Sequence, residues 1–178
     1  MAAAYDLFSR RGVRAVGIDE VIERAGVAKA TLYRHFSSKD ELVLAFLERR
    51  EVRGTHGWVE AEARRRGSTP EESLLAIFEI FDEWFQRDDF EGCSFINVLL
   101  ETGDLEHPVG RASARYLANI RAIIATLAGE AGLRDPEGFA RSWHILMKGS
   151  IVSAGEGDRD AAKRARELGR LLIDAYRP

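Results

Sequence analysis

The sequence predicts an all-α protein, with a short three-helix head followed by a larger helical bundle of about nine helices in total. Three observations lead there. Apolar residues recur at spacings of three and four from end to end. No run alternates strictly, and neither Asn-Gly nor Asp-Gly marks a hairpin. None of the four prolines interrupts an apolar pattern, and Pro70, Pro108 and Pro136 each stand near the start of one, where a missing N–H costs nothing.

The elements follow in order. Residues 2–11 form a first helix, with Ala4, Leu7 and Phe8 on one face and Gly12 as its stop. It is short, has no N-cap side chain, and places a charged amino group at the positive end of the helix dipole. Its first residues are therefore expected to fray, and a preceding turn is expected to strengthen it. Residues 18–25 form a second helix, with Ile18, Val21, Ile22 and Ala25 in one stripe and Gly26 as its end. A third covers 28–35. Ser38 caps a fourth, with Glu41 at the capping-box position. This helix runs over about 39–66 and links the two domains, although Gly54 and Gly57 each weaken it by about 1 kcal/mol. Further helices are expected over 70–87, 93–102, 108–131, 136–154 and 158–176. The expected division is a head over 1–47 and a body over 48–178.

Composition bounds the function. The 178 residues suit one or two domains, with 46% hydrophobic and 31% charged residues and a net charge of −3. No apolar run approaches the ~20 residues of a membrane helix, and the N-terminus lacks a signal-peptide pattern. Cys93 is the single cysteine and has no partner for an internal disulfide. A cytoplasmic protein without membrane partners is expected. The charge is uneven: residues 1–53 hold ten Lys/Arg and eight Asp/Glu, whereas the remainder is net acidic. A local site for a polyanion is compatible with that head.

Helices two and three are joined only by Gly26-Val27, a helix-turn-helix pattern. On a helical projection Ala28, Leu32 and Phe36 fall together and are assigned to the core. Lys29, Ala30, Thr31, Tyr33 and Arg34 remain exposed. An arginine there is suited to guanine, a threonine to a thymine methyl, and lysine and tyrosine to phosphates. Lys39, at the next helix N-terminus, adds a phosphate contact. The competing reading is a helical small-molecule-binding module without DNA activity, which leaves the Lys29–Lys39 surface without a purpose. Enzymatic signatures are missing: there is no phosphate loop, no Gly-x-Ser-x-Gly, no His-Glu-x-x-His, and no Glu three residues before His35, His56, His107 or His144. Neither a metal site nor a cofactor is expected.

The run from Ala25-Gly26-Val27 through Thr31-Leu32-Tyr33-Arg34-His35-Phe36 to Ser38-Lys39-Asp40-Glu41-Leu42 resembles the signature of TetR-family transcriptional repressors, over about residues 4–47. Gly92-Cys93-Ser94-Phe95-Ile96-Asn97 is similar to a stretch in the multidrug-type subgroup. The resemblance implies a homodimeric repressor that binds pseudo-palindromic double-stranded operator DNA and is released by a small ligand. It adds His35 and Gly17 to the DNA-contacting set. Val16, Gly17 and Ala28 stand where the family commonly has hydroxyl residues. Asp19 stands where a basic residue is common; its charge suits a helix N-terminus but repels DNA.

In the body, Phe81, Trp84, Phe85, Phe95, Tyr116 and Met147 are candidates for an apolar effector cavity, with Cys93, Asn97 and His144 as polar members of its wall. A small apolar or aromatic effector is expected. The helix over 136–154 has two apolar faces, so one needs a partner. Ile145, Gly149 and Val152, with Ala161, Ala165, Leu168 and Leu172 of the last helix, are the expected homodimer interface.

Overall fold

The structure, a computed structural model, describes residues 1–178 and is helical throughout, without strands. The helices are α1 (Ala2–Arg11), α2 (Ile18–Ala25), α3 (Lys29–His35), α4 (Lys39–Arg50), a π-helix (Glu51–Glu60), α5 (Ala61–Arg66), α6 (Pro70–Phe85), α7 (Ser94–Thr102), α8 (Pro108–Glu130), α9 (Pro136–Gly155) and α10 (Ala161–Tyr176). Helix α4, the π-helix and α5 continue without a break, which gives the expected helical path over 39–66. Its middle is π-helical, where an α-helix was expected. Gly54 and Gly57, both poor helix formers, lie there.

Caps follow the local chemistry. Ser38 Oγ accepts from Glu41 N at 3.2 Å, and Glu41 Oε2 accepts from Ser37 N at 2.7 Å. Thr69 and Asp135 cap α6 and α9 through Glu72 N and Gly138 N, each just ahead of a proline at the helix start.

The chain divides into two compact units, and each is discontinuous. The first comprises residues 1–52 and 93–117; the second comprises 53–92 and 118–178. The expected head over 1–47 thus lies wholly in the first unit, which also takes in α7 and the start of α8. The core of the first unit gathers Leu7, Phe8, Val21, Leu32, Phe46 and Val98, all buried. Phe46 packs edge-on against Tyr5 and Phe8, with ring centroids 5.4 and 5.6 Å away. Arg50 ties three segments of this unit together: its guanidinium lies over the Tyr5 ring and donates to Tyr5 OH at 2.8 Å and to Ser94 Oγ at 2.9 Å.

The second unit packs α6, α9 and α10 against one another, with α5 against α6. Its centre is aromatic. Trp143 lies between Phe78 and Phe139, at centroid distances of 5.1 and 5.3 Å, and all three are fully buried. Arginine–carboxylate pairs brace its surface, among them Arg66–Glu83 and Arg64–Glu130. No helix is long and apolar enough to cross a membrane.

Candidate nucleic-acid interface

The turn between α2 and α3 depends on one glycine. Gly26 adopts φ 63°, the left-handed conformation that a Cβ disfavours, and donates from its N–H to Glu23 O and Ile22 O. The chain then enters α3 at Ala28. Only Leu32 of α3 is buried, and it anchors the helix to the core of the first unit. Lys29, Ala30, Tyr33, Arg34 and His35 are exposed, while Thr31 is half-buried. A seven-residue helix thus presents two cations, an imidazole and a phenol to solvent, with one leucine holding it down. The assignment of Ala28 to the core is corrected: as N-cap, with φ −69° and ψ 146°, it lies outside the helical projection and is exposed. Phe36 is half-buried.

Lys39 opens α4 and is half-buried; Gly17 is the exposed N-cap of α2 and leaves that cap without a side-chain bond. The charges on this surface differ in their commitments. Arg10 and Arg24 pair with Asp6, Arg11 with Glu20, and Lys29 with Asp19. Arg14 is a cation that sequence patterning misses, because it sits in a loop with no periodicity. Its side chain is exposed and lines a small depression of about 140 Å³ together with Lys39 and Asp40. Its backbone N–H donates to Glu101 Oε2 at 2.7 Å, which fixes the loop between α1 and α2. His107 donates from Nε2 to Asp40 Oδ2 at 3.3 Å, and its Nδ1 accepts from Val109 N.

The residues nominated for an effector cavity fall into both units. Cys93, Phe95, Asn97 and Tyr116 belong to the first; Phe81, Trp84, Phe85, His144 and Met147 belong to the second. Phe95 and Tyr116 are buried against each other with centroids 5.3 Å apart. Asn97 is exposed, which corrects its assignment to an inward face; Cys93 is half-buried as the N-cap of α7. In the second unit Phe81, Trp84 and Phe85 form an aromatic cluster with Trp58 and Phe90. His144 is buried with no partner on Nδ1, and burial, aided by the charges of Lys148 and Arg121, pushes its pKa down to about 3. The first unit carries an open groove of about 910 Å³, lined among others by Glu41, Leu44 and Glu48 of α4 and by Arg111, Arg115 and Tyr116 of α8.

The residues nominated for a dimer interface also separate. Ile145, Val152 and Leu168 are 69%, 53% and 51% exposed, Gly149 is exposed and Leu172 is half-buried. Ala161 and Ala165 are buried in the chain's own core, where α10 meets α9 and α6. Leu171, which the sequence reading omits, is exposed beside Leu168.

An exposed, cation-bearing second helix on a glycine turn, in an all-α chain, defines a helix-turn-helix transcriptional regulator. Residues 1–46 match the family of bacterial regulatory proteins, tetR family. The crystal structure of a TetR-family transcriptional regulator from Streptomyces coelicolor superposes with a TM-score of 0.90 at 28% identity, covering 99% of this chain and 93% of that one. A tetr-transcriptional regulator from Streptomyces avermitilis gives a TM-score of 0.86 at 31% identity, covering 98% and 94%. The chain belongs to the TetR family of transcriptional regulators. Among curated relatives, the transcriptional activator FasR of Mycolicibacterium smegmatis is 40% identical over 49% of this chain and 39% of its own length. The transcriptional repressor KstR2 of Rhodococcus jostii is 26% identical over 74% of this chain and 62% of its own. The match thus spans less than two thirds of either curated relative.

Proposed function

We propose that the protein is a non-enzymatic, cytoplasmic repressor that binds a pseudo-palindromic double-stranded operator as a two-fold homodimer and is released by a small, mostly apolar effector. The observation that carries this is the solvent-exposed face of α3, where Lys29, Tyr33, Arg34 and His35 stand out from a helix anchored by Leu32. In this reading Arg34 and Thr31 meet base edges, and Lys29, Tyr33, His35, Arg14 and Lys39 meet phosphates, with Gly17 and Ala30 allowing close approach of the backbone. Ile145, Gly149, Val152, Leu168, Leu171 and Leu172 supply the apolar face of the dimer. Four exposed large apolar side chains on two adjacent helices are more than a lone surface needs. The effector class follows from the apolar and aromatic character of the nominated wall residues. Its action requires unequal affinity for the DNA-bound and free conformations.

The test is a gel shift and footprint on DNA upstream of the protein's own coding region. Two protected half-sites on one duplex face, about 34–36 Å apart or a multiple of it, are expected. Protection of one asymmetric half-site would refute the dimer, and no shift at low salt would refute DNA binding.

A further inference from the structure

The Lys29 ammonium of α3 donates to Asp19 Oδ1 of α2 at 3.1 Å, and the two side chains are 63% and 80% exposed. The contact bridges the two helices of the helix-turn-helix. Lys29 is the first residue of the helix proposed to read DNA, so its charge bears directly on that surface. Arg34, on the same helix, and Lys39 make no ion pair. Asp19 therefore answers one particular cation of the interface and leaves the others open. The Lys29 pKa is raised by the hydrogen bond to Asp19 first, then by the charges of Asp19 and Tyr33.

Two general facts give this pair a consequence. Binding to arbitrary DNA is set by how many phosphates the protein neutralises, and a lysine already matched to a carboxylate adds little. An exposed ion pair is weakly held, so it yields when a better-placed partner arrives. On opening, it leaves a carboxylate facing a polyanion, which phosphates repel and which at base edges finds donors only in the amino groups, such as cytosine N4 and adenine N6. Such a contact disfavours wrong sites more than it favours the right one.

We propose that Asp19 is a specificity-determining residue, which holds the Lys29 ammonium on the protein so that Lys29 reaches DNA only where a sequence-matched complex compensates the lost pair. This rests on the DNA-binding reading above, and the experiment separates the two. Wild-type protein first selects its operator from a pool of random duplexes. Affinities for that operator and for a random duplex of equal length are then measured from low to moderate salt, for wild type, Asp19→Asn and the double variant Asp19→Asn/Lys29→Gln. Asn keeps the size and the hydrogen-bonding oxygen and removes the charge.

Asp19→Asn is expected to bind random DNA about threefold to tenfold more tightly at low salt, with a log–log salt slope steeper by about one contact. Operator affinity changes less, so the operator-to-random ratio falls. The double variant returns random binding and slope toward wild type. An unchanged ratio with intact operator binding overturns this inference alone. A ratio that falls through weaker operator binding also overturns it, since Asp19 would then be positioning Lys29 or reading a base. Failure of the wild-type protein to select any operator overturns both readings.

Discussion

The Trp143 indole lies so close to Gly169 that a Cβ added there would stand 2.9 Å from its Cη2, and 3.2 Å from Cε2 of Phe78. Both rings are fully buried, 5.1 Å apart. Helix α10 approaches α9 and α6 at this point only because residue 169 has no side chain. Gly169→Ala gains about 1 kcal/mol of helix propensity and incurs about 1–3 kcal/mol of overpacking. The variant is expected to melt lower by a few degrees in circular dichroism; a raised melting temperature would show that the rings shift freely.

Gly12 stands in the same relation to Glu101. Its φ of 80° and ψ of 161° belong to a region that only glycine occupies readily, and a Cβ there would run into the Glu101 carboxylate. Gly12→Ala is expected to cost about 1–3 kcal/mol. Glu101→Gln keeps an acceptor for Arg14 N and removes only charge from a half-exposed site, so it costs less than about 1 kcal/mol. Chemical denaturation of both variants checks the order; equal losses would mean that the carboxylate charge, and not the glycine conformation, fixes the loop.

Much of this arrangement is legible in the sequence, and the misses have physical causes. Gly12, Gly26 and Ser38 mark helix ends through local chemistry, so boundaries near them are read correctly from neighbours alone. The face of α3 is legible because a seven-residue helix on a small head can bury little more than Leu32. Ala28 fails because a residue one step before a helix does not share its projection. Ala161 and Ala165 fail for another reason. The stripe on α10 is wide, and periodicity cannot say which part faces the chain's own core and which is left for a partner. Only packing against α9 and α6 separates the buried alanines from exposed Leu168 and Leu171. The π-helix has no sequence signal beyond the two glycines.

Arg34 and Lys39, two of the open cations of the interface, are expected to divide their labour. Arg34→Ala should weaken operator binding by about 1–3 kcal/mol and relax preference at one base position, as for a bidentate contact to guanine. Lys39→Ala should weaken operator and random DNA alike and flatten the salt dependence by about one contact. Titrations against the operator, its single-base variants and random DNA measure both. Equal losses with equal slopes would make both residues phosphate contacts.

The apolar face of α9 and α10 predicts an oligomeric outcome. Ile145→Lys with Leu168→Lys places two charges where large apolar side chains are 69% and 51% exposed. In a monomer both changes lie in solvent and alter stability by no more than about 0.5 kcal/mol. In a dimer they bury unpaired charge at the interface centre. Sedimentation at micromolar concentration is expected to show a dimer for wild type and a monomer for the double variant, with operator affinity falling in step. A double variant that remains dimeric places the interface elsewhere.

His144 links stability to pH. Its imidazole is buried in α9, Nδ1 has no partner, and burial with the neighbouring charges of Lys148 and Arg121 holds its pKa down to about 3. In the unfolded chain the same group titrates near ~6.5. Between those values the unfolded chain binds a proton that the native protein refuses. Stability therefore falls as pH drops below about 6.5, by at most ~1.4 kcal/mol per pH unit from this group, and is independent of it above neutrality. The carboxylates Glu62, Glu83 and Glu130 have lowered pKa values through their arginine partners, and their contribution is lost only at more acidic pH. The window between about pH 5 and 6.5 thus isolates His144 among these groups. His144→Leu, similar in volume and unable to bind a proton, should leave stability at pH 7.5 level or raised, since no buried nitrogen is then left without a partner. Urea denaturation at half-unit pH steps should show a downward slope toward acid for wild type and a flatter line for the variant. Parallel slopes would mean that the native structure protonates His144 at little cost, with the imidazole in reach of water or of a partner that opens to receive it.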